Sequence, residues 1–390
     1  MTRPDFLPYG RQVIDEQDIA AVTAVLRSDY LTTGPKVADF ELALAQRLNV
    51  EHAVVCANGT AALHLAYLAE GIGPGDKVIV PAITFLATAN AVRLCGADVV
   101  FADVDPDTAL IKLDHVEHLM QQGAKAVVPV HYAGQCVDMA ALAALCQKYD
   151  VTVIEDACHA LGSLYSDGFI TGDCHYSRST CFSFHPVKTI AMGEGGAITT
   201  NDANKAQYMR DMRQHGMVRD PARFTNGNAG PWYYEMNTLG FNYRANDLQC
   251  ALGESQLKKL DAFATKRRAL VRRYEQQLCA FKPHIRFISR VAYCDPCWHL
   301  AVVLIDFDRL GKNRNDVMEA LRARGIGTQI HYYPVSEQPF YTSLYGHIDL
   351  PGAKRFFNQT LSLPLFPSMT EEDVDHICTT VTDVLGVNQT

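Results

Sequence analysis

Residues 180–200 read TCFSFHPVKTIAMGEGGAITT. Thr180 to Phe184 is a short run of β-branched and aromatic residues, which suits a strand. Pro186 marks a turn, because proline cannot donate to a sheet ladder. Gly193-Glu194-Gly195-Gly196 is a glycine-rich turn, and Ala197 to Thr200 a second short strand. Lys188 lies between the strand and the turn. A lysine held in so tight a place loses solvation, which lowers its pKa and frees the amine as a nucleophile. A surface lysine is the ordinary alternative for any lysine taken singly.

The same texture extends outward. Val54 to Cys56, Val78 to Pro81, Val99 to Val104, Ala126 to Val130 and Val151 to Glu155 are further apolar runs. Between them lie Ala- and Leu-rich segments such as Ala61 to Glu70 and Met139 to Tyr149. Strand, helix and strand at this spacing predict an α/β fold with a mainly parallel, seven-stranded sheet covered on both faces. Val37, Phe40, Leu44 and Leu48 recur at helical spacing ahead of it. After about Leu252 a long helix carries Phe263, Leu270, Tyr274 and Leu278. A strand over Leu300 to Asp306, a helix over Arg314 to Arg324 and a strand over Thr328 to His331 follow. The expected division is a large domain over 1–252, including the N-terminal segment, and a smaller C-terminal α/β domain over 253–390. Pro221 to Pro231, PARFTNGNAGP, reads as a mobile loop.

The 390 residues are 48% hydrophobic and 20% charged, with a formal charge of −8. This is the balance of a water-exposed globular protein, with nothing near the roughly 20 apolar residues of a membrane span. The opening MTRPDFLPYG lacks an apolar secretory core, and a cytoplasmic location is expected. Arg267, Arg268, Arg272 and Arg273 cluster at helical spacing and read as a solvated helix face, so nucleic acid is not an expected partner. The 12 cysteines are scattered singly, as reduced thiols used as small hydrophobes. Cys294 and Cys297 form one CxxC without the second pair a zinc site usually needs, and no metal is expected.

Four features fall in order along the expected sheet. Asn58-Gly59-Thr60 follows a strand and opens a helix, whose N-terminal amides favour an anion; a plain N-cap is the other reading. Asp156 ends the strand VTVIED, at the edge where parallel sheets bind ligands. A carboxylate there would keep a pyridine nitrogen protonated, or simply cap the next turn. Ser183 could join a phosphate cup, or hydrogen-bond a strand neighbour. Lys188 is the fourth. An anion cup, a carboxylate and an imine-forming lysine are the parts that pyridoxal phosphate (PLP) chemistry needs. Phe85, after another strand end, could stack on a cofactor ring or belong to the core.

GTAAL, EDACHALG, FSFHPVKTIAMGEGGAITT and LGFNYRANDLQCALGESQL resemble the signatures of the DegT/DnrJ/EryC1/StrS nucleotide-sugar aminotransferases, from Tyr9 to about Pro364. The resemblance implies the fold of type I PLP transferases and a homodimer with shared active sites. It implies L-glutamate as amine donor and a nucleotide-linked keto sugar as acceptor. By resemblance, Lys188 holds PLP as a Schiff base and Asp156 pairs with its pyridine nitrogen. Gly59, Thr60 and Ser183 hold its phosphate, and Phe85 stacks on its ring. His159 lies near its hydroxyl, Asn242 reaches the partner subunit's phosphate, and Arg244 meets the sugar-nucleotide diphosphate. YLTTGPK, PWYYEMNTLGFNYR and TQIHY resemble the PseC-type subgroup, which aminates C4 of UDP-2-acetamido-2,6-dideoxy-β-L-arabino-hex-4-ulose on the route to pseudaminic acid. There, residues matching Tyr9, Asp29, Tyr30, Leu31, Thr32, Gln329, Ile330, His331 and Tyr332 contact the nucleotide sugar. Gly59, Ser183 and Asn242 border the same site.

Two positions depart from the family pattern. Asn246 stands where Thr or Ser precedes Asp247, and Thr189 follows the lysine where His or Pro is common. A deoxygenating branch carries His in place of Lys188, so the lysine points away from it. Another 3- or 4-keto sugar is the alternative substrate. A non-catalytic sensor of PLP or of a sugar nucleotide is the alternative class, which the intact Lys188 and Asp156 disfavour.

Overall fold

The computed structural model describes residues 6–227 and 230–388. Two residues of the 221–231 loop, 228 and 229, lie outside the described residues; Pro221–Arg223 forms a 3-10 turn.

Seven strands form the central sheet: β1 (His52–Cys56), β2 (Lys77–Pro81), β3 (Asp98–Ala102), β4 (Ala126–Val127), β5 (Thr152–Asp156), β6 (Ser179–Ser183) and β7 (Gly196–Thr200). Their spatial order is β1-β7-β6-β5-β4-β2-β3. Only β7 runs against the rest, pairing antiparallel with both β1 and β6. The strands are apolar on both faces because helices cover both sides. β4 is shorter than the run Ala126 to Val130 suggests. Pro129 has no N–H to continue the ladder, and Val130 meets β5 only as a single bridge to Asp156.

Helix α1 (Glu16–Leu26) precedes α2 (Pro35–Leu48), which presents Phe40, Leu44 and Leu48 to the core as the spacing implies. α3 (Gly59–Ala69) is buried on nearly every side and packs against β6, β7 and α4 (Leu86–Leu94). A helix apolar all round belongs in an interior, and this one carries its N-terminus to the carboxyl edge of the sheet.

Beyond the helix Leu260–Leu278, a second sheet is built from β8 (Ile285–Phe287), β9 (Ala301–Ile305) and β10 (Thr360–Leu363), antiparallel in that order. The N-terminal segment is sewn onto this half. Leu7 bonds Gly325 and Gly327, and the Leu365 amide donates to the Tyr9 carbonyl at 3.0 Å. Residues 328–331 do not form the expected strand. Gln329 alone pairs with Ser362, after which His331 and Tyr332 both turn inward instead of alternating. No helix among the described residues is long and apolar enough to cross a membrane.

The arginine cluster is not a uniformly solvated face. Arg267 is fully buried, and its guanidinium donates to the carbonyls of Trp298, His299 and Leu365 at 3.1–3.3 Å. Three acceptors replace the water that the exposed reading assumed. Arg268 binds the Pro296 carbonyl, and Arg273 grips Asp375 with two bonds.

Candidate active site

The carboxyl ends of β1, β2, β5 and β6 converge on one cavity of about 680 Å³. Lys188, Asp156, Gly59, Thr60, Phe85, His159, Ser183, Tyr9, Gln329, Ile330, His331 and Tyr332 all line it. This is the edge where open α/β sheets bind ligands.

Lys188 sits in the turn after β6, its amide donating to the His185 carbonyl at 2.8 Å. The side chain opens to the cavity, with no hydrogen bond to its amine among the described residues. Enclosure by protein lowers the amine's pKa, while the neighbouring Cys158 and Asp156 act in the opposite direction. The result is an amine more readily neutral, hence more nucleophilic, than a surface lysine.

Asp156 ends β5 and is buried. One carboxylate oxygen accepts the Thr88 hydroxyl at 2.7 Å, the other the Cys158 amide at 3.2 Å. Thr88 is steadied by Thr84, 2.7 Å away. These contacts fix the carboxylate's aim and leave capacity for one more donor, such as a protonated ring nitrogen.

At the start of α3, Asn58 caps the Ala61 amide at 2.9 Å. The Gly59 and Thr60 amides then occupy the first turn, where no carbonyl of the helix can receive them. A Cβ on Gly59 would lie 2.9 Å from the Ser183 Cβ. Only glycine lets the helix end come this close to β6, forming a cradle of amides and hydroxyls suited to a phosphate. Phe85, 55% exposed, stands before α4 at the cavity mouth, 6.0 Å from the Tyr332 ring.

The far wall is made of histidines. His159 accepts the Ala133 amide on Nδ1 at 3.4 Å and faces the Tyr332 hydroxyl with Nε2 at 3.0 Å. Both ring nitrogens are therefore engaged by the protein. His331 bonds Ser362 at 2.8 Å, and burial, reinforced by Lys188, pushes its pKa down to about 3. Burial likewise holds His159 well below the usual histidine range.

The remaining expected residues lie elsewhere. Asp29, Tyr30, Leu31 and Thr32 are exposed, in a loop pinned by the buried Asp247, whose carboxylate accepts the Gly34 and Lys36 amides at 2.9 and 3.0 Å. Asn242 is exposed and makes an isolated bridge to Gln214. Arg244 lines a separate cavity of about 210 Å³ with Thr33, Glu41 and Arg213. Asn246 caps its helix through the Gln249 amide at 2.9 Å, the work a Thr or Ser does at such a position. Sequence reading missed Thr84, Thr88, Cys158 and His299 in the Lys188 cavity. Nothing in a lone Thr of LATANA or the His of CWHLAVV signals that role.

The fit to PLP is direct: a glycine cradle for the phosphate, a buried carboxylate with spare acceptor capacity, and an amine of lowered pKa facing both. A seven-stranded sheet of this topology with these groups at its carboxyl edge defines a fold-type I PLP-dependent transferase. The chain belongs to the DegT/DnrJ/EryC1/StrS aminotransferase family, which it matches over residues 12–382. It is 40% identical to the spore coat polysaccharide biosynthesis protein SpsC of Bacillus subtilis (strain 168), over 98% of each chain. Among solved structures it resembles Helicobacter pylori PseC, an aminotransferase involved in the biosynthesis of pseudoaminic acid. There the TM-score is 0.90 and identity 31%, over 98% of this chain and 99% of that one. It also resembles S. venezuelae DesV in complex with a ketimine intermediate, with TM-score 0.86 and 30% identity over 98% and 99% of the two chains. PLP is the cofactor of the family, and the chain is a PLP-dependent sugar aminotransferase.

Proposed function

We propose that this aminotransferase moves an amino group from L-glutamate to C4 of a UDP-linked 4-keto-6-deoxy-N-acetyl sugar, the L-arabino-configured 4-ulose of the pseudaminic acid route. The observation that carries the amination is Lys188, unbonded and of lowered pKa, facing the cavity shared with Asp156 and the Gly59 cradle. When bound, PLP supplies an electron sink for the carbanion formed at the reacting carbon. Lys188 would hold the cofactor, and its amine, when free, is placed to carry the proton that leaves the donor's Cα. Asp156 would keep the ring nitrogen protonated, and Gly59, Thr60 and Ser183 would bind the phosphate.

For the sugar, support comes from YLTTGPK, PWYYE and TQIHYYP and from the likeness to PseC. Tyr9, Gln329, Ile330, His331 and Tyr332 would orient its ring above the cofactor. Asp29, Tyr30, Leu31, Thr32, Asn242 and Arg244 would serve the partner subunit's site in a homodimer. The higher identity to SpsC favours a second reading, in which the acceptor is another nucleotide-linked keto sugar destined for a polysaccharide. A transamination panel of nucleotide keto sugars with glutamate separates the two. The expected outcome is a higher kcat/KM for the L-arabino 4-keto sugar than for its D-xylo epimer. Equal efficiency or the reverse preference sinks the first reading and leaves the aminotransferase standing.

A further inference from the structure

The wall of the Lys188 cavity carries a hydrogen-bonded chain from Ala133 through His159 to Tyr332. The Ala133 amide points at His159 Nδ1 at 3.4 Å. An N–H facing that nitrogen makes it an acceptor, so the ring proton belongs on Nε2. Nε2 lies 3.0 Å from the Tyr332 hydroxyl oxygen. The imidazole therefore donates and the tyrosine oxygen accepts. The phenol's own proton is left over, and no other partner for that hydroxyl exists among the described residues. Tyr332 lines the Lys188 cavity. His299 lies 4.4 Å from the His159 ring centroid, and Phe85 lies 6.0 Å from the Tyr332 ring.

We propose that Tyr332 is a second proton donor of the reaction, its hydroxyl gripped by His159 so that the phenol proton is offered to the carbonyl oxygen of the acceptor. This rests on the cavity being the transamination site. In converting a ketone to an amine adduct, nitrogen bonds to the carbonyl carbon and sheds two protons. The C–O bond breaks, and the oxygen takes up two protons and leaves as water. Tyr332 gives one proton to that oxygen and regains one shed by nitrogen; no electrons change hands. Burial raises the Tyr332 pKa and lowers that of His159, which keeps the phenol protonated and the imidazole neutral. His159 acts through Tyr332 and is a positioning residue. A glutamine there can copy its polarity, accepting from Ala133 with its oxygen and donating with its NH2.

The test has two readouts. In cofactor-free protein, ¹⁵N NMR of labelled histidine should show His159 as the Nε2–H tautomer. In single-turnover experiments, Tyr332→Phe should slow amine transfer to both the keto sugar and 2-oxoglutarate by about a hundredfold, with KM little changed. His159→Leu should fall likewise, and His159→Gln should keep most of the rate. The 2-oxoglutarate arm reports on the chain whichever sugar is the substrate. An Nδ1–H tautomer overturns the proposal, as does a Tyr332→Phe enzyme that loses affinity but not rate. Should Tyr332→Phe fail to fold, the tautomer and the Leu–Gln contrast decide.

Discussion

Replacing Gly59 with alanine tests the cradle at its narrowest point. The added Cβ would meet Ser183 Cβ at 2.9 Å, its Oγ at 3.3 Å and Cys158 Sγ at 3.5 Å. The nearest atom is bonded directly to the β6 backbone and cannot swing away, so helix and strand must part. Overpacking of this kind costs about 1–3 kcal/mol, and alanine's advantage over glycine in a helix returns up to about 1 kcal/mol. A net loss of about 1–2 kcal/mol is expected in cofactor-free protein, read from chemical denaturation. Parting the walls also moves the Gly59 and Thr60 amides, so PLP affinity should fall as well, read by cofactor titration. Ser183→Gly removes the opposing atom. A double-mutant cycle should therefore show the pair more stable than the sum of the singles by about 1 kcal/mol, within the range of contacting residues. If Gly59→Ala is as stable as the parent, or the cycle shows no coupling, the close approach is not what glycine is there for.

Three further outcomes follow from the same geometry. Lys188→Met should abolish turnover yet stabilise the cofactor-free fold. The lysine's pKa is depressed in the folded state, so its penalty is full below that folded pKa and vanishes as pH rises to the unfolded value near 10.5; denaturation across pH 7–10.5 should show the advantage shrinking. Asp156→Asn keeps acceptor and donor positions for Cys158 and Thr88, so the imine absorbance should persist while turnover drops by about a hundredfold or more. Mixing Lys188→Ala with Asn242→Ala chains should restore activity through heterodimers; confirmed subunit exchange without recovery removes support for a shared site.

The sheet was legible because its strands are buried on both faces, which forces continuous apolar runs that few other structures need. The lysine turn was legible because proline, glycine and lysine each mark a local event. Arg267 was not. A helical arginine beside charged neighbours looks solvated until three carbonyls from distant segments close over it. Thr88 and His299 were hidden for the same reason: their partners, Asp156 and His159, are remote in sequence. Residues 328–331 misled because a short run was read as a strand, whereas Gln329 makes an isolated bridge to Ser362 and His331 and Tyr332 together line the cavity.

The same contrast separates chemistry from specificity. Asp156, Gly59 and Ser183 are tied into the packing of β5, α3 and β6, and a cofactor held there would add a second constraint, which leaves a short, sharp motif. Asp29, Tyr30, Leu31, Thr32 and Asn242 are exposed, and the fold holds the loop of the first four through its backbone, by Asp247 on Leu31, Gly34 and Lys36. Their exposed side chains are little constrained by the packing around them. Substitution among them can therefore change the acceptor without disturbing Lys188, while a change of one atom at Gly59 reaches the strand that carries it. The acceptor sugar should accordingly be altered by exchanging the loop ahead of Gly34, with PLP binding unchanged.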